Sequence, residues 1–393
     1  MNESPARATQ SGQAAPPGSP RAAFPPSWAK MNVVLAHDWL TGMRGGERVL
    51  ELLCRGFPRA PLFTLIHNPK AMAEGINAHA ITTSWLQQVP GIMAYYRYFL
   101  PFFPAAVERM QVPEAELLIS SSHCVAKGFR PRPGMKHLCY CFTPMRYAWR
   151  FYKEYFGGGR VKRLLLEPML GTLRRWDFHA SSRVDRFVAI SHHVQRRITS
   201  YYGRESHVVY PPVNTEFFTP GPAAGHDGFD LIVSALVPYK RVDLAVQAYT
   251  RLGYPLKVIG VGTDLAPLRH LAGPNVEFLG WQPDDRLRDW YRRCRCLVFP
   301  GEEDFGIVPV EAQACGKPVV AYALGGILET VVENSTGVFF AEQTVDALLH
   351  AVEDCAARKW DPVEIQRNAA RFSVEHFLAG LDTNIRQCLL GKP

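Results

Sequence analysis

The chain has 393 residues, 47% of them hydrophobic, with 44 Lys and Arg against 36 Asp and Glu for a net charge of +8. A single hydrophobic core stops growing at about 250–300 residues, so two domains are expected. The basic balance suits a phosphorylated ligand or an anionic membrane surface, whereas acidic residues spread along the chain and the lack of any recognisable nucleic-acid-binding module argue against nucleic acid as a partner.

Residues 1–30 are rich in Ala, Pro, Ser and Gly and contain no apolar run, which predicts a disordered tail with Met31 as an alternative start. A secretory signal would need an apolar stretch of about 7–15 residues, and this segment has none. From Met31 the pattern changes. Residues 33–36, Val-Val-Leu-Ala, predict a buried strand, followed by His37, Asp38 and Trp39. Gly45 and Gly46 then open a helix whose apolar positions Val49, Leu50, Leu52 and Leu53 recur at helical spacing. Taken alone, the Gly pair is either a turn with a helix cap or a place where a ligand phosphate approaches the backbone at the positive end of the helix dipole.

Residues 90–104 form an apolar and aromatic run interrupted by Arg97 and Pro101. It is far shorter than the about 20 residues that span a bilayer, and reads either as an ordinary core helix or as a wedge at headgroup depth. No other stretch predicts a membrane span. Residues 117–122 predict a strand ending in three serines, with His123 and Lys127 in the loop beyond. Residues 137–142 predict the next strand, which Thr143-Pro144 ends. Arg146, Arg150, Lys153, Arg160, Lys162, Arg163, Arg174 and Arg175 then concentrate positive charge among aromatic and Leu residues. That run is either a solvated helix face or a surface for anionic headgroups and a lipid diphosphate. Residues 185–191 predict a further strand, and the prolines of 208–220 stop regular structure.

The second half repeats strand, loop and helix. Lys240 and Arg241 sit in the first such loop, suited to the charge that builds on a departing diphosphate. Gly260-Val261-Gly262 lacks the third Gly of a dinucleotide fingerprint, which argues against NAD. A short strand then runs into the loop Leu279-Gly280-Trp281. Residues 297–300 predict the end of a buried parallel strand, residues 301–304 a polar tip, and Phe305-Gly306-Ile307 a helix N-terminus whose unpaired N–H groups favour a diphosphate. Glu303 and Glu311 thus stand on a loop and on the helix after it, facing one crevice at a strand's carboxyl end, where open α/β sheets bind ligands. Gly316-Lys317-Pro318 closes that helix. The nine Cys include two close pairs, Cys139-x-Cys141 and Cys294-x-Cys296, neither with the Cys-x2-Cys spacing of a zinc ribbon. Buried free thiols in a reducing cytosol are expected, and no metal.

The string EDFGIVPVEAQACGKPVVA, with Glu303-x7-Glu311 inside it, resembles the donor-site motif of the retaining glycosyltransferases of family 4. The TPMRYAW segment resembles the mannosyltransferase subgroup of that family that builds bacterial surface polysaccharides. The resemblance runs over about residues 31–390 and implies an α/β GT-B architecture of two Rossmann-like domains facing a central cleft. It implies a first, acceptor domain over 31–210, a linker over 211–228, a donor domain over 229–370 and a C-terminal helix over 371–393 packing back on the first domain. On this resemblance, Glu303 orients the sugar hydroxyls and Lys240 meets the donor phosphate, the two acting as the catalytic pair, while Glu311 hydrogen-bonds the ribose. Gly45, Gly46, Phe305, Gly306 and Ile307 line the diphosphate, and the backbone at Gly280 and Trp281 follows the nucleobase. Arg241 would compensate for Ala235, where the family usually has Arg. Asp38, Trp39, His123 and Arg146 fall on the acceptor side, and Phe142 stands where many members have a His that touches the sugar.

The subgroup implies GDP-mannose as donor and a lipid-diphosphate-linked glycan as acceptor, with no cofactor and no metal. The expected location is the cytoplasm or, peripherally, the inner face of the cytoplasmic membrane. Rival readings are a UDP-sugar transferase or epimerase of the same fold and a non-catalytic nucleotide-sugar-binding scaffold. A glycosidase with two carboxylates fits two Rossmann-like halves less well.

Overall fold

The computed structural model of the chain describes residues 23–149, 160–222 and 225–391, with only the backbone of 160–166. Apolar runs of four to six residues become parallel strands covered on both faces, as in Val33–His37 and Leu117–Ser122, where every position is buried. Seven strands form the first sheet: β1 (Val33–His37), β2 (Leu62–Thr64), β3 (Ile81–Thr83), β4 (Leu117–Ser122), β5 (Lys136–Cys141), β6 (Arg186–Ala189) and β7 (His207–Val208), in the order β3-β2-β1-β4-β5-β6-β7. Six form the second: β8 (Asp230–Val233), β9 (Leu256–Ile259), β10 (Val276–Gly280), β11 (Leu297–Phe299), β12 (Val319–Tyr322) and β13 (Gly337–Phe340), in the order β10-β9-β8-β11-β12-β13. All the paired strands are parallel. Strand order reverses between β1 and β4 in one sheet and between β8 and β11 in the other, and a crevice opens at each such point outside the carboxyl ends.

The serines that end β4 sit in the core without cost because each has a partner: Ser120 with His137 Nε2 at 2.8 Å, Ser121 with His37 Nδ1 at 2.8 Å, and Ser122 with Asp38 at 3.4 Å. All nine cysteines are buried and unbridged. Among the described residues no helix is long and apolar enough to cross a membrane.

The last helix, Val374–Leu389, returns to the first domain, where Phe377 meets Tyr140 edge-on at 5.5 Å and Asn384 accepts from Arg186 at 2.8 Å. The same helix corrects the expectation of a disordered tail through residue 30. Trp28 is buried, stacks on Phe57 at 4.6 Å and donates its indole N–H to Asp382 at 2.8 Å. Two aromatic rings, Trp28 and Phe24 6.3 Å from it, fasten residues 24–30 to the core. Residues 1–22 lie outside the described residues.

Segment 90–104 packs one side into the core, as expected of a core helix, and turns the other side to solvent. Helix Ile92–Tyr95, the 3-10 stretch Tyr96–Phe102 and helix Phe103–Arg109 bury Ile92, Tyr96, Leu100 and Phe103 while leaving Tyr95, Tyr98 and Phe102 exposed. Of the basic run, Arg150 and Lys153 and the side chains of Arg160, Lys162 and Arg163 lie outside the described residues. Arg174 pairs with Glu167 at 2.6 Å and donates to the Ala148 carbonyl at 2.7 Å.

Candidate active site

The first wall of the site grows from the ends of β1 and β4. Asp38 is fully buried, and its carboxylate accepts the backbone N–H groups of His123, Cys124, Val125 and Ala126 at 2.6, 3.0, 2.6 and 2.6 Å. Burial alone would raise its pKa. The His123 imidazole, with Nδ1 at 2.9 Å, and the nearby His37 outweigh that and hold the carboxyl well below the usual range. Asp38 therefore fixes the loop after β4 and the ring of His123, with no oxygen left for a ligand. Trp39 is buried too, against Tyr96, Phe103 and the edge of His123. Of the expected acceptor-side residues, His123 and Arg146 keep an open flank, their side chains 28% and 23% exposed.

Helix Gly45–Gly56 begins beside this wall, and its Glu47 accepts the Arg44 N–H at 3.1 Å, closing the first turn. Glu47 is buried with Oε1 3.9 Å from His37 Nε2; burial raises its pKa, and His37 more than reverses the effect. The Gly pair sits close to its neighbours. A Cβ on Gly45 would come within 2.9 Å of Ile307 Cδ1 from the second domain, and one on Gly46 within 3.4 Å of the Phe142 ring. Phe142 thus fills the floor under the Gly turn and meets His37 edge-on at 6.3 Å.

Lys240 and Glu303 face them from the carboxyl ends of β8 and β11. The loops are pressed together, since a Cβ on Gly301 would lie 2.8 Å from the Lys240 carbonyl oxygen, and this brings Lys240 Nζ onto Glu303 Oε1. Burial, with help from Arg146, pushes the Lys240 amine down to about 7, while Asp304 opposes the shift. The Glu303 carboxylate in contact acts the same way as Asp304 and favours the ammonium. Glu311, inside helix Ile307–Ala314, accepts the Tyr291 hydroxyl at 2.8 Å. Burial raises its carboxyl to about 7 against the pull of Arg48 and Tyr291.

Three further residues fall elsewhere than expected. Arg241 adopts a left-handed backbone, φ 53°, and its guanidinium goes to Asp243 at 3.2 and 3.3 Å and to Gln343 at 3.3 Å, so it does not stand in for the Arg missing at Ala235. Phe305 is core, stacked on Tyr210 at 5.7 Å and edge-on to Phe372 at 5.4 Å. Arg146 reaches across to Asp304 at 2.6 Å rather than toward an acceptor. Gly306, with φ 96°, caps the helix that Ile307 starts, while Gly280, with φ 69°, turns the chain and leaves Trp281 53% exposed.

The sequence reading misses what ties the walls together. Arg197 donates to Asp304 through Nη1 and to Glu302 through Nη2 at 2.9 Å, and Ser191 donates to the Asp304 carbonyl at 2.6 Å. Glu329 accepts the N–H groups of His192 and His193 at 2.8 Å each, capping helix His192–Tyr202 from the other domain. A second tie, Arg48 to Asp284 at 2.8 Å, spans the same gap. The only local signal is the run Glu302-Glu303-Asp304, three carboxylates where the motif uses one.

Residues 215–372 match the family described as Glycosyl transferases group 1. Among curated relatives, a D-inositol 3-phosphate glycosyltransferase of Gordonia bronchialis is 32% identical over 225 residues, 49% of each chain. An uncharacterized glycosyltransferase of Methanocaldococcus jannaschii is 30% identical over 165 residues, 41% of this chain and 46% of the relative. The chain thus spans about half the length of the curated relatives it matches. Sucrose-phosphate synthase from Thermosynechococcus elongatus superposes with a TM-score of 0.67 at 18% identity, over 92% of this chain and 100% of that one. Anabaena HepE in complex with UDP and glucose superposes with a TM-score of 0.65 at 16% identity, over 92% and 99%. Two parallel-sheet Rossmann-like domains in the GT-B arrangement make up the fold, and its second half, over residues 215–372, matches the glycosyl transferases group 1 family.

Proposed function

We propose that the chain transfers a sugar, mannose from GDP-mannose, to a lipid-diphosphate-linked glycan with retention of configuration at the inner face of a membrane. The observation that carries the transferase reading is the contact of Lys240 with Glu303 at the mouth of the second sheet, opposite the Gly45–Gly46 turn. The names of the relatives support sugar transfer, while mannose and GDP rest on the TPMRYAW resemblance. In this reading an ionised Glu311 takes the ribose hydroxyls, and Lys240 leaves Glu303 for the donor diphosphate. Glu303 is thereby freed to accept hydrogen bonds from the sugar. As the glycosidic bond to the diphosphate lengthens, Lys240 and the first N–H groups of helix Ile307–Ala314 meet the charge on the leaving oxygen. That oxygen takes the acceptor's proton, and a closed cleft keeps water out.

HepE, the Anabaena protein solved with UDP and glucose, favours a second donor reading, a UDP-sugar. A thermal-shift panel with GDP, UDP, ADP and their sugar conjugates decides between them, because a ligand bound only by the folded state raises apparent stability. A shift confined to GDP and GDP-mannose upholds the first reading; a preference for UDP species replaces the donor. Donor consumption with and without acceptor then separates a transferase, which needs the acceptor, from an epimerase, which does not, and from a scaffold, which consumes nothing.

A further inference from the structure

We propose that the exposed aromatic face of residues 85–109 docks the first domain on an anionic lipid bilayer. The proposal deepens the lipid-linked acceptor reading and rests on it for its purpose, but its test does not need an acceptor.

The segment is two-sided. Its inner residues seat it in the core, while Tyr95, Tyr98 and Phe102 point outward at 59%, 80% and 53% exposure, with Trp85 at 39% nearby. Monomeric proteins rarely leave such large rings clustered in water without a use for them. Charge favours a bilayer as the occupant. No Asp or Glu occurs between Glu74 and Glu108, and the segment's exposed cations are Arg97 and Arg109. Arg97 lies with its guanidinium 5.3 Å from the Tyr96 ring centre. Tyr, Trp and Phe interleaved with Arg is the composition that settles at headgroup depth, rings toward the acyl chains and guanidinium toward phosphate. The buried side of the same segment leads to the site: Tyr96 meets Trp39 at 5.4 Å, and Trp39 meets His123 edge-on at 4.5 Å. A diphosphate held at the membrane surface would therefore emerge beside the first wall of the cleft.

Flotation of the full chain with vesicles of phosphatidylglycerol and phosphatidylcholine, and of phosphatidylcholine alone, tests this. Binding is expected on the anionic vesicles, and weakening with salt. The combined variant Tyr95→Ser, Tyr98→Ser, Phe102→Ser is expected to bind them about 100-fold more weakly, with unchanged melting temperature and nucleotide-induced shift. Arg97→Glu is expected to abolish the preference for anionic over neutral vesicles. Wild-type protein that stays off anionic vesicles, or a triple variant that floats like wild type, overturns the proposal. So does a wild-type dimer that the triple variant splits into monomers, because a second copy would then cover the face. Sugar transfer in detergent without vesicle binding would sink the docking and leave the function, whereas vesicle binding without transfer would do the reverse.

Discussion

Glu311 offers the sharpest test of the proposed donor site, because its carboxyl is held at about 7 by burial, within reach of ordinary buffers. A ribose hydroxyl donates to a carboxylate, so binding should draw on the ionised form. With a pKa near 7, about one site in eleven is ionised at pH 6 and about ten in eleven at pH 8, so affinity for a nucleoside should rise about tenfold across that interval. The diphosphate adds a term of opposite sign, because Lys240 binds it as an ammonium that is lost as pH rises through about 7. A nucleoside alone should therefore show a rising curve and the nucleoside diphosphate a maximum near neutrality. Titration calorimetry with both ligands from pH 5.5 to 8.5 reads the two curves, and Glu311→Gln should flatten the first. Folding responds in its own direction: a carboxyl raised from 4.5 to about 7 on folding stabilises the protein fully below 4.5, and that contribution is lost as pH climbs through 7. A nucleoside affinity that is flat with pH in the wild type would refute the ionised-Glu311 reasoning.

Glu303→Gln should lower turnover by about 100-fold or more with less than about threefold change in nucleotide affinity, since its proposed partner is the sugar; equal loss of both in steady-state kinetics and calorimetry would remove that division of roles. Arg197→Ala takes one partner each from Asp304, which keeps Arg146, and Glu302, which keeps His193, in a nearly closed environment and should cost about 3 kcal/mol in urea unfolding. The same variant should show a larger radius of gyration by small-angle scattering, and an unchanged radius would mean that the remaining ties suffice. Trp28→Ala, which opens a hole against Phe57, should cost about 3–5 kcal/mol, and a chain begun at Met31 should show the same loss; full stability of either would return residues 24–30 to a passive tail.

Strand, loop and helix were legible wherever a local pattern suffices. Parallel strands buried on both faces read as apolar runs, and the turn at Gly45–Gly46 announces itself because a Gly pair precedes apolar residues at helical spacing. Glu303 and Glu311 are findable for the same reason, as both belong to one continuous strand–loop–helix unit. What pattern cannot reach is a partner chosen by the fold. Asp38 looks like a free carboxylate until the loop 85 residues further on brings four amide groups to it. Arg146 looks like part of a basic surface until Asp304 arrives from the other domain. Arg241 looks like a phosphate ligand in its basic loop, but a left-handed backbone and Asp243 two residues away turn it aside. Trp28 is lost for the opposite reason, two rings, Phe24 and Trp28, averaged away by the Ala, Pro, Ser and Gly of the tail around them.

The ties across the cleft divide by what a donor would do to them. Arg197 and Arg146 hold Glu302 and Asp304, the neighbours of Glu303 on either side. They grip the second domain's loop through residues that the proposed reaction does not consume. Lys240 and Glu303, between those anchors, hold each other. Before a donor arrives, the pairing spares each buried charge the cost of standing alone. A diphosphate that takes over Lys240 must leave Glu303 a new set of donors, which sugar hydroxyls supply and a bare nucleoside diphosphate does not. In the proposed reaction this couples sugar and phosphate recognition through one ion pair, so the conjugated donor should bind more tightly than its nucleotide by more than its extra contacts alone provide. Glu303→Gln, which leaves Lys240 without its resting partner, should narrow that gap by strengthening the nucleotide relative to the conjugate.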